Sequence, residues 1–243
     1  MIKVLAIGNS FSQDATRYLR KIAQAAGEDM KVVNLYIGGC PLSRHYKNIN
    51  NDAAAYSLEI DGETTGFEVS IRQALQSNEW DFVTMQQVSS LSFDYDTYQP
   101  YLDALSDYVM VHAPRAKQVI HQTWAYENGS DRLCTELGYK TDADMFENVR
   151  KSYAQAAEDI SADLIIPCGE AMLLAANQGF TMHRDTFHAS FGIGRYLLGA
   201  VWFEALTGKS VIGTPLLPLD VPTEETELYK MQEIAHSVVA SYR

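Results

Sequence analysis

The chain reads as a single α/β domain built on a parallel sheet, and three observations say so. Short apolar runs at residues 4–7 and 32–37 are each followed by a glycine. Between them lies a helical repeat that puts Tyr18, Leu19, Ile22 and Ala26 on one face, with Gly27 placed to end it. The same strand-then-helix rhythm recurs along the rest of the chain. A β-α-β unit implies parallel strands joined by right-handed crossovers. The 243 residues, 47% of them hydrophobic and 21% charged, suffice for one large domain with a well-buried core. No internal repeat, low-complexity tract or linker divides the sequence, so residues 1–243 are expected to fold as one domain.

Element by element, the first strand spans residues 2–7, a helix 14–27 and the second strand 32–37. A helix over 69–75 leads to a strand over 81–86, and an amphipathic helix over 98–112 is stopped by Pro114. A strand over 116–123, a helix over 143–160 and a short strand over 163–166 follow. Helices over 170–177 and 193–206 come next, the second punctuated by glycine, and a last helix takes Thr223 as its N-cap and runs to near Tyr242. That makes five strands. Two stretches interrupt the rhythm. Residues 48–67 include Tyr56-Ser57-Leu58-Glu59-Ile60-Asp61-Gly62, a small hairpin turning at Asp61-Gly62. Residues 126–142 form a long loop after a strand, the kind of segment that builds binding sites.

Charge and cysteine content narrow the partners. A net charge of −12 argues against nucleic acid and anionic membrane surfaces, both of which require basic patches. No apolar run reaches the length of a membrane span. The N-terminus enters a strand directly, without the basic, apolar and cleavage regions of a leader, so a cytoplasmic location is expected, or a secreted or periplasmic one where a leader has been removed. Cys40, Cys134 and Cys168 are odd in number and lack metal-ligand spacing, which reads as free thiols.

In an open parallel sheet the active site lies beyond the C-terminal strand ends. Four motifs fall there: Gly8-Asn9-Ser10-Phe11-Ser12, Gly38-Gly39-Cys40-Pro41-Leu42-Ser43, Gln86-Gln87-Val88-Ser89-Ser90, and the loop His183-Arg184-Asp185-Thr186-Phe187-His188. A serine hydroxyl becomes a nucleophile when a base takes its proton, and His188 is the candidate base. Asp185 is three residues away, close enough to hold the imidazole tautomer and stabilise the imidazolium. The oxyanion of the tetrahedral intermediate needs donors. The amides of Ser10 and Gly39 and the side chain of Gln86 are the candidates, with Gln87 as the rival of Gln86 because strand alternation points the two to opposite faces.

With these residues in place, the layout resembles the SGNH, or GDSL-like, hydrolase superfamily over essentially the whole chain. That superfamily has its nucleophilic serine after the first strand, a glycine after the second, an amide side chain after the third and a D-x-x-H motif near the C-terminus. Here the counterparts are Ser10, Gly39, Gln86 and the Asp185/His188 pair. Residues 7–12, the D-x-x-H motif and the helix between Gly199 and Gly208 are similar to a little-characterised bacterial branch. The resemblance implies a flavodoxin-like, three-layer α/β/α fold with a five-stranded parallel sheet. It also implies a serine esterase that removes O-acetyl or other short acyl groups from carbohydrates, with a small-molecule or oligosaccharide ester as its partner and no cofactor or metal. The sequence departs from the pattern twice: Asn9 replaces the aspartate of Gly-Asp-Ser, and Gln86-Gln87 replaces Gly-x-Asn-Asp.

Other readings of the same residues stand beside this one. Ser10 can simply be an N-cap, with Ser12 competing for that role. His183, Asp185 and His188 together have the chemistry of metal ligands, as a metal-dependent hydrolase would use them. A non-catalytic carbohydrate-binding relative would keep the fold and a Trp124 platform without needing Ser, Asp and His together. Trp124 reads equally as core, His45 as pocket or packing, and Cys40 lacks a paired base.

Overall fold

In a computed structural model, which describes residues 1–242, one seven-stranded sheet runs through the molecule in the order β4-β3-β2-β1-β5-β6-β7. Strands β1 (Ile2–Gly8), β2 (Met30–Tyr36), β5 (Phe82–Met85), β6 (Lys117–His121) and β7 (Leu164–Ile166) are mutually parallel. These are the five strands expected, in the flavodoxin-like order, and helices flank the sheet on both sides. β1 sits at the centre, and its Val4-Leu5-Ala6-Ile7 run is buried on both faces, which is why it is apolar without alternation.

The interruption at 48–67 joins the sheet. Its hairpin, β3 (Tyr56–Ile60) and β4 (Glu63–Val69), adds two antiparallel strands beside β2. The turn is Asp61-Gly62, both with positive φ. A Cβ on Gly62 would lie 2.4 Å from the Arg17 carbonyl oxygen, so glycine also lets the hairpin tip meet the first helix.

One helical layer holds α1 (Ser10–Thr16), α2 (Leu19–Ala25), α7 (Cys168–Asn177), α8 (Ile193–Thr207) and α9 (Glu225–Ser241), gathered around α8. α8 is buried nearly all round, so it is apolar all round. The other side carries α3 (Leu42–Asn51), α4 (Ile71–Gln76) and α5 (Tyr101–His112), while α6 (Asp142–Asp159) packs on β6 and β7.

Three elements differ from expectation. The helix expected over 14–27 is two helices: the first starts at Ser10, and the chain breaks around buried Tyr18, whose hydroxyl donates to the Phe191 carbonyl and accepts from the Asp220 amide. α3 went unrecognised because its surface is mostly polar and only Leu42, His45 and Ile49 are buried. α9 begins after Glu224; Thr223 instead donates its hydroxyl to the Val221 carbonyl. No helix among the described residues is long and apolar enough to cross a membrane.

Candidate active site

Ser10 opens α1 directly after β1, and Asn9 caps that helix by accepting from the Phe11 amide. The Ser10 hydroxyl lies 2.8 Å from His188 Nε2, and His188 Nδ1 lies 2.8 Å from Asp185 Oδ2. The three residues singled out as nucleophile, base and orienting acid therefore form one continuous hydrogen-bonded chain across 178 positions of sequence. Asp185 also accepts from the His188 backbone amide at 2.9 Å. Burial by itself raises its carboxyl, but the hydrogen bonds from His188 outweigh that and hold it below the ordinary range, so the acid stays ionised beside the imidazole.

The loop carrying His188 is fixed from several directions. Thr186 takes a left-handed conformation with φ 74° between Asp185 and Phe187, and its carbonyl accepts from the Glu127 amide. Trp124 is fully buried, stacks on Phe11 with ring centroids 4.1 Å apart, and donates its indole N–H to the Phe187 carbonyl at 2.8 Å. It anchors the His188 loop from the core and offers no face to a ligand. Beneath the loop lies Asp14, fully buried one turn after Ser10. It accepts from Arg184 Nη1 at 2.9 Å, Arg195 Nε at 2.8 Å and the Ala189 amide at 3.1 Å. The helix that presents Ser10 thus also grips the loop that presents His188.

Of the three oxyanion candidates, two face the cavity. Ser10 and Gly39 both line it, and neither amide is engaged by a described acceptor. Gly39 has φ 60°, a conformation that glycine enters without the strain a Cβ would bring. Gln86 is a correction. It is buried away from the cavity and its amide nitrogen donates to Asn9 Oδ1 at 2.9 Å. Its rival Gln87 is buried as well: it accepts from the Leu42 and Val88 amides and donates to Thr97. Strand alternation separates the two glutamines but does not bring either to the surface.

Gln86 instead belongs to a buried relay whose atom assignments follow one from another. The Phe11 amide fixes Asn9 Oδ1 as an acceptor, so the group Gln86 presents to it must be its amide nitrogen. Gln86 Oε1 then faces His121 Nδ1 at 2.6 Å, which must carry the proton. Burial pushes the His121 pKa down to about 3, consistent with a neutral ring. At the other end Asn9 Nδ2 donates to the Cys40 carbonyl at 3.1 Å, in the turn that carries Gly39. Aspartate at position 9 has no such donor, which gives the departure from Gly-Asp-Ser a physical role.

The cavity beside Ser10 and His188 measures about 330 Å³ and is also lined by Phe11, Tyr36, Ser89, Tyr126, Arg132 and Phe187. A larger hollow of about 490 Å³ runs along residues 216–228, away from the triad, and contains no nucleophile–base pair. His45 is buried outside the cavity, 2.8 Å from the Tyr56 hydroxyl, with its pKa pushed down to about 3 by burial. His183 turns Nε2 to the Ala125 carbonyl at 3.1 Å, and burial lowers its pKa. Among the described residues no three His, Cys, Asp or Glu side chains are grouped as metal ligands. Cys40 and Cys168 are buried and Cys134 exposed, all as free thiols.

A parallel sheet in this order, with a Ser–His–Asp chain at its C-terminal edge, defines the SGNH hydrolase fold, and comparisons with known proteins agree. The chain is similar over 84% of its length to a protein from Slackia heliotrinireducens assigned to the SGNH hydrolases, at 25% identity and a TM-score of 0.59, with 97% of that chain covered. It shares its fold, at 15% identity and a TM-score of 0.54, with an acetylxylan esterase from Geobacillus stearothermophilus, covering 85% of this chain and 94% of that one. These neighbours support hydrolase chemistry of the esterase type. The chain belongs to the DUF4886 family, a domain of unknown function, which matches residues 3–237. A family member from Bacteroides uniformis ATCC 8492 is 36% identical, with a TM-score of 0.91 over 98% of this chain and 95% of that one. No curated protein matches the sequence.

Three features escaped the sequence reading: the Asp14 clamp, the Asn9–Gln86–His121 relay and the place of Arg132 in the cavity. Only the first left a usable signal, a carboxylate four residues after the serine on the face that must turn inward.

Proposed function

We propose that this protein is a serine-dependent carboxylic ester hydrolase that removes short acyl groups, O-acetyl above all, from a carbohydrate. The observation that carries this reading is the continuous Ser10–His188–Asp185 hydrogen-bond chain opening on a cavity. Ser10 Oγ attacks the ester carbonyl while His188 Nε2 takes its proton. Asp185 holds the proton on Nδ1 and balances the imidazolium. The Ser10 and Gly39 amides stabilise the oxyanion. As the intermediate collapses, His188 hands the proton to the departing alcohol. Water, deprotonated by the same imidazole, then releases the carboxylic acid and restores Ser10. The cavity of about 330 Å³ lies at the small end of ligand pockets, roughly 300–1,000 Å³, which favours a short acyl group. The acetyl and carbohydrate parts of the reading rest on the likeness to acetylxylan esterases.

The test is hydrolysis of short-chain aryl esters and acetylated sugars by wild type and Ser10→Ala, with a fluorophosphonate as active-site label. The expected outcome is a loss of kcat of roughly 10⁴-fold or more in the variant, with labelling of the wild type at Ser10. Full activity in Ser10→Ala would refute the triad. Inhibition by a chelator, with Ser10→Ala still active, would favour metal-assisted hydrolysis.

A further inference from the structure

We propose that Arg132 forms a subsite for an oxyanion, carboxylate or phosphate, carried on the alcohol portion of the ester. The proposal rests on the ester-hydrolase reading and narrows its substrate class to acidic ones.

Arg132 is the first residue of a π-helical turn, Arg132–Glu136, in the long loop after β6. It lines the cavity that holds Ser10 and His188. Its guanidinium sits 4.1 Å from the centroid of Phe187 and 5.9 Å from that of Tyr126. The Phe187 ring in turn lies 3.9 Å from the His188 ring. Aromatic contact holds the cation beside the proposed base, and its N–H groups donate to no described residue, so they are available to a ligand.

What the cation lacks, among the described residues, is a hydrogen-bonded anion. Arg17, Arg150, Arg184 and Arg195 each donate hydrogen bonds to carboxylates. The Arg132 side chain makes no hydrogen bond to the described residues, and the carboxylate nearest it is Glu136, 3.9 Å away and largely exposed. No Asp or Glu among the described residues lines the cavity. The whole chain carries a net charge of −12, so its general field repels anions. A guanidinium held only by a long, exposed ion pair to Glu136, in a cavity lined by no described acid, is the local reversal that an anionic ligand requires. The planar fork of N–H donors suits a carboxylate or phosphate and has no use for a neutral sugar hydroxyl in preference to any other polar side chain.

Three aryl acetates test this: phenyl acetate, 3-acetoxybenzoate and 3-acetoxyphenyl phosphate, with each kcat/KM divided by the rate of hydroxide-catalysed hydrolysis. Wild type is expected to favour at least one anionic ester by about tenfold or more, the worth of a charged hydrogen bond. The favoured member tells carboxylate from phosphate. Arg132→Gln should remove the preference and Arg132→Lys should keep part of it. Added salt should shrink it. A merely structural role for Arg132, acting through Phe187 on His188, would lower all three substrates together and leave their ratio unchanged. Equal use of all three by wild type, or a preference that survives in Arg132→Gln, would overturn the proposal while leaving the esterase intact. If Arg132→Gln fails to fold, the wild-type ratio and the lysine variant still decide. Failure of the wild type on all three esters, with no fluorophosphonate labelling of Ser10, sinks the esterase reading and this proposal with it.

Discussion

Asn9→Asp would restore the Gly-Asp-Ser box of the wider superfamily, and on pattern alone it should be harmless. The structure says otherwise. Asn9 is 1% exposed and uses both ends of its amide: Oδ1 accepts from the Phe11 amide and Gln86, and Nδ2 donates to the Cys40 carbonyl. A carboxylate keeps the first two bonds and loses the third. It sets one of its oxygens against the Cys40 carbonyl, which lies 3.1 Å from the present donor, leaving a buried acceptor without its partner. Such a loss costs about 1–3 kcal/mol. For a chain of this size, each kcal/mol moves Tm by about 2–4 °C, so a fall of roughly 2–12 °C is expected.

The damage falls on the turn that carries Gly39. An oxyanion donor is worth roughly 10²–10³ in kcat, and a displaced donor forfeits part of that, so a drop of about tenfold or more is expected. Below its pKa the introduced carboxyl is protonated and regains an O–H to offer the Cys40 carbonyl, so the stability deficit should narrow in acid. Thermal unfolding at neutral and mildly acidic pH, with kcat/KM on an aryl acetate, measures all three effects. Wild-type Tm and turnover in the variant at neutral pH would refute the relay as described.

Two further outcomes follow from buried charge. Asp14→Asn removes the hydrogen-bonded counter-charge of two largely buried arginines, which have 19% and 12% of their side-chain surface exposed; Arg184 retains Asp185, 4.0 Å away, and Arg195 retains Asp220, 3.7 Å away. Breaking a buried pair in this way costs about 3–5 kcal/mol. A Tm drop of about 10 °C with a fall in kcat is expected; a drop of less than about 2 °C would show that the clamp carries little of the fold. The second outcome is acid sensitivity. His45 and His121 both have pKa values lowered from 6.5 to about 3 by burial. The unfolded chain takes up protons below 6.5 that the folded chain refuses, so this stability is complete above that pH and is lost as pH falls toward 3. Each histidine contributes a slope of about 1.4 kcal/mol per pH unit, and the pair should cost roughly 3–4 kcal/mol between about pH 7 and about pH 5. Urea unfolding at the two pH values checks this; a flat profile would mean that these rings take up protons as readily in the folded chain as in the unfolded one.

The parts of this molecule legible in the sequence are those in which one local pattern has one physical meaning. The apolar run at Val4–Ile7 has to be a buried central strand, and Asp61-Gly62 between two extended runs has to be a hairpin turn. Ser10 and Gly39 are placed because the C-terminal edge of a parallel sheet gathers whatever follows its strands, and the D-x-x-H motif is legible as an Asp and a His spaced to reach from one loop. The rest depends on pairings that no local pattern encodes. Gln86 ends a strand where an oxyanion donor belongs, yet its direction is decided by His121, 35 residues away, and by Asn9, 77 residues away. Arg184 reads as a loop cation until Asp14, 170 positions earlier, is seen beneath it. Arg132 looks like one charge among many in a polar loop, and only the fold sets it over Phe187 beside His188.

Chemistry and selectivity accordingly sit on different kinds of structure. The residues proposed to make and break bonds follow directly after strands or lie in the D-x-x-H loop clamped to α1, so the sheet and its first helix position them. The residue proposed to select substrate stands on the loop after β6, in a turn whose Arg132 packs on Phe187 of the D-x-x-H loop. Relatives can therefore keep the Ser10–His188–Asp185 chemistry while exchanging that loop, and the ester each one takes should vary with the charge at position 132 far more than with any change in the sheet.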